Sequence, residues 1–214
     1  MHMRHVLLLI AAAALAVPGT VVAQQNAAPD GIFTGSSDIG KTKPGSTSFD
    51  PASGTYKLTG GGADMWGEAD AFRFTWVKLS GDATISADIH FPKGNLAPLE
   101  KAVLVFRQNL EPGSPYADNA IHADGHATLQ WRATKDGKTD DRAAPERGAV
   151  RLGIERVGIK FIASTGPANG KLTPFSEITI PLTDPVYVGI GVCAHDADGL
   201  VDVTFSNVVI KTGR

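Results

Sequence analysis

Apolar and polar residues alternate with a period of two along most of this chain, and a helical period is almost absent. That pattern confines the chain to strands with one buried face, and so to an all-β architecture. Phe72-Arg73-Phe74-Thr75-Trp76 places two phenylalanines and a tryptophan on one side. After the turn Ser80-Gly81-Asp82, residues Ala83, Ile85, Ala87, Ile89 and Phe91 alternate with Thr84, Ser86, Asp88 and His90. Ala102 to Phe106 is apolar on both faces, as expected of a central strand covered on two sides. Asp136-Gly137 and Val157-Gly158 mark hairpins, because Gly, Asn and Asp tolerate the positive φ that tight turns demand. Val150, Leu152 and Ile154 alternate before the second of these. Further strands are predicted over Ser176–Pro181, Val186–Cys193 and Val201–Ile210. Short strands parted by Gly, Pro, Asp and Ser predict one antiparallel β-sandwich over residues 31–214.

The amino terminus reads differently. Arg4 precedes an apolar run from Val6 to Val17, twelve residues where a membrane span needs about 20. Pro18-Gly19 breaks the run, and Val21-Val22-Ala23 supplies small residues for cleavage. Residues 1–23 therefore read as a signal peptide and 24–30 as a flexible leader, which predicts a periplasmic or secreted protein without a membrane anchor after cleavage. With 20 basic against 22 acidic groups and no block of one sign, the chain lacks the basic stripe of a nucleic-acid binder. One cysteine, Cys193, precludes an intramolecular disulfide and a multi-thiolate zinc site, and reads as a buried filler.

The run Gly62 to Phe74 (GADMWGEADAFRF), followed by Leu79-Ser80-Gly81-Asp82, resembles the opening of a concanavalin A-like lectin/glucanase (laminin G-like) domain. It is similar in particular to an uncharacterised bacterial branch related to the C-terminal sandwich of β-xylosidases. Lys101 to Leu110, Ser114 to Ala117, Gln130-x-Arg132, Leu152-x-Ile154-x-Arg156, Tyr187 to Val192 and Phe205 to Val208 continue the likeness in order. The resemblance implies a concanavalin A-like jelly roll and a sugar-associated role outside the cytoplasm. Where that branch carries Gly in its central strand this chain has Val103, which implies a more crowded concave face near Arg107.

Strand parity then predicts what lines that face. Arg107 shares a side with Val103 and Val105; His126, Thr128, Gln130 and Arg132 share another; Cys193 lies with His195. The expected ligand-binding set is Arg107, Gln130, Arg132 and His195, with Asp64, Trp66, Asp70 and Tyr116 from adjoining loops. Planar polar groups make paired hydrogen bonds to vicinal hydroxyls, and Trp66 or Tyr116 would stack on a sugar ring. Two arginines favour an anionic or hydroxyl-rich oligo- or polysaccharide.

Other readings compete. A polysaccharide lyase would use the arginines and Gln130 on a uronate carboxylate, with His195, Tyr116 or His122 as catalytic acid or base. A retaining glucanase needs two carboxyl groups about 5–5.5 Å apart, and no strand here carries such a glutamate pair. In an adhesion or protein-interaction module the arginines would only balance Asp64 and Asp70. No cofactor is expected. His122-x-Asp124-x-His126 has metal-ligand spacing but contains an Asp-Gly turn, and Asp196-Ala197-Asp198-Gly199 is the one place suggesting a structural calcium, without the length of an EF-hand loop.

Overall fold

The computed structural model describes residues 31–92, 94 and 96–213. The signal-peptide and leader readings, residues 1–30, lie outside the described residues. Two seven-stranded antiparallel sheets face each other. In spatial order the first contains β1 (Gly35–Ile39), β6 (Phe72–Leu79), β15 (Val186–Cys193), β8 (Lys101–Arg107), β9 (Tyr116–His122), β10 (His126–Arg132) and β11 (Asp140–Arg147). The second contains β14 (Thr173–Thr179), β13 (Lys160–Gly166), β12 (Arg151–Val157), β7 (Ala83–His90), β16 (Asp196–Thr212), β3 (Thr55–Gly62) and β2 (Ser46–Asp50). A two-stranded hairpin, β4 (Met65–Trp66) and β5 (Ala69–Asp70), completes the order.

The doubly apolar run is the middle strand of its sheet: β8 pairs β15 on one side and β9 on the other, and all its residues are buried. Its Ala102, Leu104 and Phe106 join Val188, Ile190, Val192, Ile85 and Ile154 in the main core between the sheets. The turn after Val157 closes β12 onto β13 in the register Val157↔Lys160, with Gly158 at φ +61°. Asp136, at φ 56°, lies in the connection between β10 and β11.

Tyr116, expected on a loop, is instead the first residue of β9, and His122 is its last. Hydropathy conceals this strand because polar residues are buried on both of its faces. Asn119 points between the sheets and donates from Nδ2 to the carbonyls of Gly153 and Ser164, both at 2.9 Å, which ties the two layers together. Asp118 points the other way and is also fully buried.

A second apolar cluster lies on the outer face of the first sheet, the face expected to be concave. Phe72, Phe74, Val103, Val105, Tyr116, Ala120 and Cys193 form it, and Met65 and Ile39 pack on it. Gly191 makes room there, since a Cβ on it would stand 2.9 Å from the Phe72 ring. Val103 therefore sits in a filled part of the face.

Candidate functional site

The arginines lie at one end of this outer face, where Arg107 ends β8 and Arg132 ends β10. Both side chains are fully buried, and both grip Asp70, whose side chain is also fully buried. Arg132 holds the carboxylate with two parallel bonds, Nη1 to Oδ2 at 2.8 Å and Nη2 to Oδ1 at 2.7 Å. Arg107 Nη1 reaches Oδ2 at 2.5 Å. The remaining donors are largely spent on main-chain carbonyls: Arg107 on Glu111 and Pro112, and Arg132 on Gly67, Ser114 and Gly137. Burial pushes the Arg107 guanidinium below its ordinary value, although Asp70 opposes that shift.

Tyr116 lies beneath them. The Arg132 guanidinium carbon is 5.1 Å from its ring centroid, and its hydroxyl is 3.2 Å from Thr139 Oγ1. Burial, then the nearby Asp118 and Asp70, push the phenol well above its ordinary value. Arg107, Arg132, Asp70 and Tyr116 therefore do not reach solvent and cannot touch a ligand. Their role as a binding set is corrected to an internal clamp, for the reason that a half-buried arginine demands a carboxylate and here one carboxylate serves two. The lyase constellation does not converge either, because its arginines and its tyrosine are sealed away from both histidines.

The opposite end of the same face is open. A cleft of about 230 Å³ is lined there by Asp64, Trp66, Lys101, His122, Thr128, Gln130, Asp141 and His195, together with Leu99 and His126. Trp66 stands at the turn of the β4–β5 hairpin, where Gly67 takes φ +59°, and is 41% exposed. Arg132 donates to the Gly67 carbonyl at 3.0 Å, so the clamp fixes the hairpin that presents the indole. Lys101 begins β8 and sends its ammonium to Asp64 Oδ1 at 2.7 Å. Gln130 and Thr128 are each 3% exposed, and neither Gln130 Oε1 nor Thr128 Oγ1 has a hydrogen-bond partner.

Three histidines border the cleft. The turn through Gly125 stacks the His122 and His126 rings at 3.9 Å, with planes 4° apart. His126 Nδ1 meets Asp124 Oδ1 at 2.5 Å, and Arg147 holds the other oxygen of that carboxylate at 2.9 Å. Burial, reinforced by Lys101 and His126, pushes His122 down to about 3, so it is neutral at pH 7. His195, at φ 52°, places Nδ1 3.0 Å from the Ala63 carbonyl and 3.7 Å from Asp64 Oδ2. Its sequence neighbour Asp196 is turned away, accepting from the Asp198 amide at 2.9 Å, while Lys43 donates to the Asp198 carbonyl. Among the described residues no group of three or more His, Cys, Asp or Glu side chains is placed to hold a metal ion.

Of the predicted binding residues, Asp64, Trp66, Gln130 and His195 come together at the cleft, as does His122 from the catalytic candidates. Lys101 was missed, although it shares strand parity with Arg107 and could have been found by it. Asp141 could not have been placed without the register Gln130↔Asp141 between β10 and β11.

No protein-family model matches the chain, and no curated protein does. Solved structures do. A functionally unknown protein from Saccharomyces cerevisiae is 20% identical with a TM-score of 0.64, over 84% of this chain and 97% of that one. The carbohydrate-binding module CBM66 from Bacillus subtilis is 14% identical with a TM-score of 0.56, over 86% of this chain and 98% of that one. The fold is a concanavalin A-like jelly roll. At these identities the likeness is one of fold.

Proposed function

We propose that this chain is a periplasmic or secreted carbohydrate-binding domain whose binding site is the cleft between Trp66 and Gln130. The observation that carries the reading is an exposed indole beside a cleft lined by the Gln130 amide, the Thr128 hydroxyl and the Asp64 and Asp141 carboxylates. An aromatic face suits the apolar side of a pyranose, and the amide, hydroxyl and carboxylates suit its hydroxyl groups. The Bacillus subtilis module of the same fold bears carbohydrate binding in its name, which accords with this use of the fold. The signal-peptide pattern of residues 1–23 supports an extracytoplasmic location.

Affinity electrophoresis against a panel of polysaccharides tests the proposal. At least one glycan should retard the protein, and Trp66→Ala should abolish the retardation while leaving the melting temperature within about 3 °C, because so exposed a side chain contributes little to the core. No retardation by any glycan would overturn the reading.

A further inference from the structure

We propose that the cleft selects uncharged, hydroxyl-rich glycans and rejects uronate-containing and sulfated ones; this rests on the carbohydrate-binding reading above. Each described basic group beside the cleft is either paired or uncharged. Arg107 and Arg132 are both consumed by Asp70. Lys101 is 2% exposed, with its ammonium 2.7 Å from Asp64 Oδ1 and 3.5 Å from the Met65 carbonyl. Arg147 and His126 share the carboxylate of Asp124. His122 is uncharged at neutral pH, and His195 has Asp64 at 3.7 Å.

The acids are less fully committed. Asp64 is 30% exposed beside its lysine, and the exposed Asp141 lines the same cleft. Glu100 has a buried oxygen without a partner, and its carboxyl is pushed up by burial, with the Ala97 amide and His195 acting against that. Asp118, opposite Gln130 in the register of β9 and β10, is fully buried with neither oxygen hydrogen-bonded. Burial pushes its carboxyl up, against the pull of Lys101. An entering carboxylate or sulfate would thus lose water and meet Asp64 and Asp141, with no unpaired cation among the described residues that line the cleft to receive it. A neutral sugar meets no such penalty. Each of its hydroxyls both donates and accepts, which suits the Gln130 amide, the Thr128 hydroxyl and the carboxylates alike.

Retention should be measured on two matched panels: neutral polymers (xylan, mixed-linkage β-glucan, dextran, mannan) and acidic ones (polygalacturonate, alginate, chondroitin sulfate). The expected result is binding to at least one neutral polymer, at least about tenfold weaker binding to every acidic one, and less than about a twofold change in neutral affinity as salt rises from about 0.05 to about 0.5 M. Asp64→Asn, checked for folding by circular dichroism, frees the Lys101 ammonium and should move the acidic-to-neutral ratio toward acid by about tenfold. Binding to acidic polymers as tight as to neutral ones, or an unmoved ratio in Asp64→Asn, would overturn the selectivity while leaving carbohydrate binding standing. Binding to neither panel would overturn the carbohydrate reading itself.

Discussion

Replacing Asp70 by Asn keeps the size of the side chain and removes the one negative charge between two buried arginines. Three contacts of 2.5, 2.7 and 2.8 Å then lose their charge assistance, and an amide NH₂ must face a guanidinium that also donates. Breaking one buried pair by removing a partner costs about 3–5 kcal/mol, and here two fully buried cations are orphaned together, so the lower end of that range is a floor. Such a loss is a large part of the roughly 5–15 kcal/mol that holds a domain folded. At about 2–4 °C per kcal/mol for a domain of this size, the melting temperature should fall by about 6–20 °C. Urea unfolding followed by tryptophan fluorescence, beside thermal melts, measures the change. Asp64→Asn orphans one buried ammonium rather than two guanidiniums, and its carboxylate is 30% exposed, so it should cost less. A loss below about 1 kcal/mol for Asp70→Asn would refute the assignment of Asp70 and the two arginines to an internal clamp.

Two further outcomes are expected. His122 is held to about 3 when folded, below its ordinary 6.5, so the unfolded chain takes up the proton first and stability drains away as pH falls from about 6.5 toward 3. The slope should reach about 1.4 kcal/mol per pH unit from this group, and His122→Gln should flatten the profile by about one proton between pH 4 and 6; parallel profiles for the two proteins would contradict this. Asn119→Ala leaves the carbonyls of Gly153 and Ser164 without their side-chain donor, and should cost about 1–3 kcal/mol in urea unfolding while leaving glycan retention intact.

The fold was legible wherever burial and hydropathy coincide. In β7, β8 and β15 every inward residue is apolar or Gly, and the predicted spans match or nearly match those observed. The strands before Phe72, β1 to β5, carry no pattern that the sequence reading used, and two later strands break the coincidence in different ways. β9 buries Asp118, Asn119 and His122, whose cost depends on partners far away in sequence. β11 is an exposed edge strand, DDRAAPER, whose charges discourage pairing with other chains and erase the alternation. The site was legible in part. Parity put Arg107, Gln130 and Arg132 on the correct face, but that Asp70 would bind both arginines depends on a hairpin folding over from Met65 to Asp70, which no local pattern encodes. From sequence, the pairing of arginine with Asp64 or Asp70 is only a competing possibility. It proved to hold for Asp70, while Asp64 takes Lys101 instead.

The hairpin that carries Trp66 is anchored from beneath by a guanidinium that can never meet a ligand. Arg132 bonds the Gly67 carbonyl through Nε and Nη2 and the Asp70 carboxylate through Nη1 and Nη2, tying the turn to the end of β5. The entropy of ordering the indole platform is thereby lost when the chain folds rather than when a sugar arrives. An aromatic residue so fixed presents one shape to every visitor. Changes to the buried fork should accordingly alter how discriminating the surface is, without altering any group on it.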